Sequence, residues 1–177
     1  SDGDWMASAL WRELHEKLNI GIAIWLTMPG ELQGEICVAT SHLFWDPKYP
    51  DLKLLQAFLL AAELDAEASS VPLIVAGDLN STPFIEGGVR SGVYELLTRG
   101  KVLPNHPHHP VTLRRSQGIL AGVGIRDVPE LTAQPLHSAY MEAQGMEGPV
   151  TNASRDFTGC LDYIMFRPTG HADTENA

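Results

Sequence analysis

The segment from residue 35 to residue 76 contains two apolar strand patterns separated by one amphipathic helix pattern. Residues 35–43 and 71–76 are rich in β-branched and other apolar residues and predict two strands. Between them, Asp51 is predicted to cap a helix. Its apolar stripe comprises Leu52, Leu55, Leu59 and Ala62, and is widened by Leu54, Phe58 and Leu64. A strand, a helix and a strand in this order predict an α/β fold in which the helix packs on a sheet.

The flanking segments extend this prediction. Residues 18–26 predict a strand that pairs with 35–43 in antiparallel fashion across a short loop containing Pro29 and Gly30. Residues 5–18 have leucines at fourfold spacing and predict either a short helix or an irregular lead-in. A second helix is expected near 93–97, closed by Gly100, and residues 159–166 predict a last strand. Residues 101–130 show no periodicity and predict a long loop with no sheet of its own.

Composition excludes several classes of protein. The 177 residues carry 12 Lys and Arg against 22 Asp and Glu, a formal charge of −10, and 44% of them are hydrophobic. These values argue for one globular domain and against disorder, and no apolar run is long enough to span a membrane. The acidic balance argues against a non-specific nucleic-acid binder, although an enzyme can still meet phosphate through a bound cation. Cys37 and Cys160 lie in apolar stretches and predict buried, reduced thiols. We expect a cytoplasmic protein, or an organellar one within a larger assembly.

The strongest local signal is Gly77-Asp78-Leu79-Asn80, which directly follows a predicted strand. Side chains alternate along an extended chain, so Asp78 and Asn80 are expected to point the same way. The carboxylate of Asp78 can orient or deprotonate a water, and the amide of Asn80 can donate to a phosphate that gains negative charge. The alternative is an ordinary turn, because all these residue types favour turns.

Two further residues are candidates. His42 ends a predicted strand and can contact a phosphate oxygen, or it is simply a structural histidine. Asp162 interrupts an apolar strand, where a charge must be paired or solvated. It either faces water on an edge strand or orients a catalytic imidazole. The histidines of the His106-Pro107-His108-His109 run lack a Cys or carboxylate partner at helical spacing, and a solvated loop is the better interpretation than a metal site.

Taken in order, these signals resemble a known family. The chain resembles the endonuclease/exonuclease/phosphatase superfamily over residues 14–166, and within it the carbon-catabolite-repressor-type poly(A) deadenylases with their nocturnin and Angel relatives. Five ordered blocks carry the resemblance: Ser41 to Pro47 with Asp51 to Gln56, Gly77 to Pro83, Ser91 to Glu95, Leu136 to Tyr140, and Thr151, Asn152, Asp156, Phe157 with Gly159 to Ile164. The Trp45-Asp46-Pro47 step favours the deadenylase branch.

The resemblance implies a fold, a cofactor and roles for individual residues. It implies a two-sheet α/β sandwich of the deoxyribonuclease-I type and Mg²⁺-dependent cleavage of phosphodiester bonds by water. Asp78 would handle the water, Asn80 and His42 would contact the phosphate, and Asp162 would orient a catalytic histidine. Pro47 and Phe157 would sandwich an adenine, which is sensible because aromatic rings stack on unpaired bases.

The sequence also departs from the family pattern. The family's metal-binding Glu lies in an earlier half that this sequence does not show, and its terminal Ser-Asp-His block is not reproduced by His171-Ala172-Asp173. We therefore expect the C-terminal portion of a deadenylase-like domain, incomplete in its sandwich and not a competent nuclease by itself. Its expected partners are single-stranded RNA such as poly(A), and the missing domain half or neighbouring protein subunits.

Three functions stay open at this stage. The first is a Mg²⁺-dependent 3′-to-5′ exoribonuclease formed by the parent domain. The second is a catalytically silent copy that serves as a structural subunit of a ribonucleoprotein or other assembly. The third is another branch of the same fold, such as an apurinic endonuclease or a sphingomyelinase-like phosphodiesterase, because fold alone does not fix function.

Overall fold

The computed structural model of the chain describes residues 9–29, 34–117 and 128–169. In chain order its helices and strands are α1 (Ala9–His15), β1 (Gly21–Met28), β2 (Gly34–Ser41), α2 (Pro50–Glu67), β3 (Leu73–Asp78), α3 (Gly92–Arg99), β4 (Lys101–Val102), α4 (Pro110–Ser116), β5 (Leu131–Thr132), β6 (His137–Ser138), α5 (Ala139–Gln144), β7 (Asn152–Ala153), β8 (Thr158–Gly159) and β9 (Asp162–Arg167).

Five strands form the main sheet in the order β1-β2-β3-β9-β6. β1 and β2 are antiparallel, as predicted, and β2 and β3 are parallel, with α2 as the crossover between them. β9 lies antiparallel to β3 and to β6, so it is not an edge strand of this sheet. The α/β class is confirmed. Among the described residues the remaining strands form only two short pairs, β4 with β5 and β7 with β8.

Helix α2 is buried more widely than its predicted stripe. Residues 51–55 are all buried, and α1, α3 and α4 all pack against the helix. Towards the C-terminal end only one face is covered, and Ala62 of the predicted stripe is exposed. The prediction that Asp51 caps this helix is wrong: Tyr49 holds the cap position, Pro50 begins the helix, and no side chain caps it.

The segment 101–130 is more ordered than a loop. β4 pairs with β5, and α4 begins after His109, whose ring accepts a hydrogen bond from the backbone N–H of Val111. The prediction of a long loop without a sheet is therefore wrong for 101–117, because tertiary contacts order this segment although its sequence has no helical or strand periodicity. Residues 118–127 lie outside the described residues. The closing glycine of α3 is confirmed, since Gly100 adopts the left-handed conformation with φ 71°.

Both cysteines are free and buried, as the sequence predicts, and burial raises the pKa of each thiol. Reactive thiolates are therefore not expected at either position. None of the described helices is long and apolar enough to cross a membrane.

Candidate active site

The topology of the sheet brings three of the predicted residues to one edge. β2 and β3 are parallel, so their carboxyl ends lie side by side, and His42 and Asp78 are found there. β9 runs the opposite way, which places its first residue, Asp162, directly across from Asp78. Opposite residues of an antiparallel pair project from the same face of the sheet. The sheet therefore brings together one imidazole and two carboxylates that are far apart in sequence.

Asp78 and Asn80 form a tight turn at this edge. The carboxylate of Asp78 accepts a hydrogen bond from the backbone N–H of Asn80 at 2.8 Å, and the Asn80 side-chain amide donates to the carbonyl of Leu43 at 2.8 Å. Asn80 has φ 46°, a left-handed conformation that Asn adopts more readily than most residues. The extended backbone from which a common orientation of the two side chains was expected ends at Asp78. The segment is a turn, and it is the turn that holds both groups at the edge.

His42 lies beside Asp78 and is open to solvent. Its Nε2 is 3.6 Å from Oδ2 of Asp78, and its side chain is 70% exposed, whereas that of Asp78 is 23% exposed. Both residues line an open groove of about 500 Å³, together with residues from the start of β1 and the ends of β2 and β3. An imidazole and a carboxylate that share a groove can together bind a phosphate and accept a proton from water.

Asp162 is held through its backbone. Thr151 Oγ1 accepts hydrogen bonds from the backbone N–H groups of Leu161 and Asp162, at 2.9 and 3.0 Å. The alternative that β9 is an edge strand is wrong, because β9 lies between β3 and β6. Asp162 itself is partly exposed. No imidazole contacts the Asp162 carboxylate within the part of the chain that the structure describes.

The two residues expected to hold a base lie on separate loops. Pro47 is exposed in the loop before α2, next to Trp45, which is also exposed. Phe157 lies in the turn between β7 and β8, half-buried, with its ring against Gly159. Its backbone carbonyl accepts a hydrogen bond from the N–H of Ser154 at 2.7 Å. Their predicted role in binding adenine stays a prediction.

One charged residue at this site was missed by the sequence analysis. Lys53 of α2 is 5% exposed, and its Nζ donates to the backbone carbonyl of Asn80 at 2.7 Å. Burial lowers the pKa of the Lys53 ammonium, while the charges of Asp46 and Asp78 act to raise it. The sequence did contain a signal for this residue. Lys53 lies between Leu52 and Leu54, in the part of the helix whose apolar pattern predicts burial.

The donor set does not make a magnesium site by itself. Magnesium takes oxygen ligands, usually one or two carboxylates with water and substrate phosphate. Asp78 has the right chemistry, but residues 9–29, 34–117 and 128–169 contain no group of three or more His, Cys, Asp or Glu side chains placed to hold a metal ion. Asp78 could therefore serve as a carboxylate ligand of the Mg²⁺ that the resemblance implies, but the described residues supply no set of three protein ligands for it.

The histidine run has a structural role, and the expected solvated loop is wrong. His109 is fully buried, and both ring nitrogens contact the backbone, of Val111 and Pro129. His108 Nδ1 accepts from the N–H of Gly92 at 3.1 Å, and burial lowers the pKa of His108 to about 4. Tertiary packing of this run against the start of α3 could not be read from local sequence.

Comparisons with known proteins find relatives in sequence and in fold, although no family model matches the chain. The chain is 32% identical over 184 residues to CCR4-NOT transcription complex subunit 6-like from Danio rerio, covering 86% of the chain and 31% of that protein. It is 27% identical over 185 residues to the CCR4-Not complex 3′-5′-exoribonuclease subunit Ccr4 from Aspergillus niger, covering 89% and 25%. Among solved structures, ANGEL2, a 2′,3′-cyclic phosphatase, superposes with a TM-score of 0.61 at 25% identity, covering 86% of the chain and 51% of ANGEL2. The chain thus spans a quarter to a third of the length of the curated relatives compared here.

Proposed function

The chain belongs to the carbon-catabolite-repressor and nocturnin-type branch of the endonuclease/exonuclease/phosphatase superfamily, and from this premise we propose that it contributes the phosphate-binding edge of an RNA 3′-end phosphodiesterase. The proposed reaction is 3′-to-5′ hydrolysis of single-stranded RNA, with poly(A) as the substrate. The observation that carries the proposal is the shared sheet edge at which His42, Asp78 and the Asn80 turn meet.

The proposed roles follow from the chemistry of each group. Oδ2 of Asp78 accepts a proton from, or orients, the attacking water, and this kind of assistance contributes about 10²- to 10⁴-fold. The second N–H of the Asn80 amide and the exposed imidazole of His42 donate to oxygens of the phosphate as it gains charge. When bound, Mg²⁺ would neutralise phosphate charge in an acidic protein. Asp78 could supply one of its ligands, and the others would come from water, from the substrate phosphate or from groups outside the described residues.

A nuclease assay on the protein tests this function with a matched control. His42 and His137 are both exposed histidines beside a carboxylate, at 3.6 Å from Asp78 and 3.1 Å from Glu142. His137 pairs with Phe166, near the far end of β9 from Asp162. We expect His42→Asn and Asp78→Asn to lower the rate of shortening of 5′-labelled A20 by at least about 100-fold, as loss of a transition-state donor does. His137→Asn should leave the rate unchanged.

Two outcomes would contradict the proposal. The first is absence of Mg²⁺-dependent shortening by the purified full-length protein. The second is equal loss of rate in the His42 and His137 variants, which would indicate a general loss of structure. The same assay should include an RNA ending in a 2′,3′-cyclic phosphate, because ANGEL2 is a 2′,3′-cyclic phosphatase. Hydrolysis of that end alone would replace the exonuclease proposal by a cyclic phosphatase.

We also propose that the base next to the cleaved bond is adenine, stacked between Pro47 and Phe157. Stacking on an aromatic side chain contributes about 1–3 kcal/mol per base. Phe157→Ala should therefore weaken AMP binding by about tenfold or more, whereas Phe157→Trp should retain it; the measurement is calorimetry. Unchanged affinity in the Ala variant would remove this assignment.

The outer strand supports the proposed protein partner. β1 is the edge of the main sheet, and its large residues are exposed on both faces: Ile22, Ile24, Trp25 and Leu26, with Leu18 and Ile20 before the strand. An apolar edge of this kind is unfavourable in water and favours pairing. We propose that the occupant is a further segment of the same family domain, because the chain matches only 51% of ANGEL2.

Hydrogen exchange tests this arrangement. In the longer polypeptide, the amides of β1 that point away from β2 should exchange at least about tenfold more slowly than in the 177-residue chain, since pairing protects them. Equal exchange in the two samples would contradict the proposal. We place this assembly in the cytoplasm, where free thiols such as Cys37 and Cys160 stay reduced.

A silent structural copy is the second candidate function. It is favoured by two observations on the described residues: Asp162 has no imidazole partner, and no three His, Cys, Asp or Glu side chains converge on a metal. The nuclease assay separates the two candidates, because a silent copy would show neither shortening of RNA nor a difference between wild type and Asp78→Asn.

A further inference from the structure

Lys53 lies behind the turn that carries Asp78 and Asn80. Its Nζ donates to the carbonyl oxygen of Asn80 at 2.7 Å, while the backbone N–H of Asn80 donates to Asp78 and the Asn80 amide donates to Leu43. Three hydrogen bonds therefore hold Asn80, through its backbone N–H, its backbone carbonyl and its side-chain amide. The support matters because φ 46° is a less populated region for a residue with a side chain, although Asn enters it more readily than most residues.

Burial of a lysine at position 53 is unfavourable if the side chain serves only to pack against its neighbours. Lys53 is 5% exposed, and a buried ammonium loses most of its hydration. It also lies in the first turn of α2, where the helix dipole disfavours a cation. A leucine there would extend the apolar run Leu52–Leu55 at no such cost. The compensating interactions are the hydrogen bond to the Asn80 carbonyl, the charge of Asp78 at the site, and the charge of Asp46 in the loop before α2.

We propose that Lys53 is a positioning residue of this site, which holds Asn80 in its left-handed conformation so that the amide of Asn80 faces the phosphate. The effect on hydrolysis depends on the proposed function, whereas the effect on the turn does not. Lys53 acts through Asn80 and is not itself assigned a contact with substrate.

The first experiment measures the turn without any substrate. The protein contains an internal reference, because the backbone N–H of Leu79, adjacent to Asn80, donates to the carbonyl of Leu161, the residue before β9, at 2.8 Å and makes no hydrogen bond to Lys53. In Lys53→Met we expect the backbone N–H of Asn80 to exchange with solvent about tenfold faster or more, as followed by NMR. Exchange of the backbone N–H of Leu79 should change less than about threefold. Lys101→Met is the matched control, since Lys101 is half-exposed and pairs with Glu130 on a different sheet.

The second experiment separates positioning from binding. Loss of a residue that orients a functional group typically lowers activity by about 10- to 100-fold. We expect Lys53→Met to lower kcat on A20 by that amount, with KM changed less than about threefold, while Lys101→Met leaves both unchanged. In Lys53→Ala, added ethylammonium should restore kcat in proportion to its concentration, and an equal concentration of ethanol should not.

The outcomes are distinguishable from failure of the proposed function. If the wild-type protein does not hydrolyse RNA, the proposed function fails, and the exchange rates still decide whether Lys53 holds the turn. Equal acceleration at Asn80 and Leu79 would mean that Lys53 has a general structural role, and would overturn the inference. An active wild type with unchanged kcat in Lys53→Met would also overturn it. If Lys53→Met does not fold, Lys53→Arg replaces it, and should keep slow exchange at Asn80 because the guanidinium retains both charge and donors.

Discussion

The backbone of Gly77 approaches Ser41 so closely that a Cβ atom at position 77 would lie 2.3 Å from the Ser41 carbonyl oxygen. This contact joins the carboxyl ends of β3 and β2 immediately before Asp78 and His42. A side chain at position 77 would have to push the two strand ends apart. The glycine of the Gly77-Asp78-Leu79-Asn80 segment is therefore required for close approach of the two strands.

We predict that Gly77→Ala separates the two candidate site residues. Overpacking of this kind costs about 1–3 kcal/mol of folding free energy, measured by urea unfolding. The rate of A20 hydrolysis should fall by more than the decrease in the fraction of folded protein explains. Gly148→Ala is the control, since a Cβ there meets only the Thr151 methyl at 3.5 Å. Equal stability of the Gly77 and Gly148 variants would contradict this account.

The buried ion pairs of Arg114 should be strongly coupled. Arg114 bonds Asp51 of α2 and Glu13 of α1, and the Arg114 and Asp51 side chains are 8% and 0% exposed. Replacing Arg114 by Met leaves Asp51 buried without its partner, which costs about 3–5 kcal/mol. Arg114→Met combined with Asp51→Leu should recover at least half of that loss, because no charge is then stranded at position 51. Additive costs in urea unfolding would show that the pair is not coupled.

Stability should fall on mild acidification because of His108. Burial lowers its pKa to about 4 from an ordinary value of 6.5, so between these values the unfolded chain binds more protons than the folded one. The free energy of unfolding therefore decreases as pH falls from about 6.5 to 4, by up to about 3 kcal/mol. In His108→Asn the side-chain oxygen can still accept from Gly92, and the loss over this pH range should be smaller. His137→Asn, at an exposed position, should follow the wild type, and a His108 variant with an unchanged pH profile would refute the assignment.

Magnesium should stabilise this 177-residue chain very little. The described residues offer no three convergent ligands, so binding weaker than about 10 mM is expected. At 10 mM Mg²⁺ that corresponds to less than about 0.4 kcal/mol, or a rise in Tm below about 2 °C. Asp78→Asn should abolish any rise that occurs. A rise of several degrees that saturates below 1 mM would show that these residues bind the ion unaided.

Local sequence determined β1, β2, β3 and β9 of the main sheet, but not β6, and it determined the segments that end at the site. Apolar runs specify β2 and β3, glycine specifies the end of α3, and the polar residues after each strand specify where chemistry is possible. These features depend on neighbours within a few positions, through side-chain periodicity and the conformational freedom of glycine. The likeness over five ordered blocks then identified the family.

Only the tertiary structure decided the partners of the charged and polar residues. Asp51 bonds Arg114, 63 residues away, and does not cap its helix; Lys53 bonds Asn80, 27 residues away. His109 is buried against Pro129, and Asp162 lies opposite Asp78. A hydrogen bond or an ion pair requires an approach of about 3 to 4 Å, and the sequence does not state which distant groups meet at that distance. The residues available for the site were therefore readable from the sequence, whereas their arrangement, and the lysine that holds it, were set by packing.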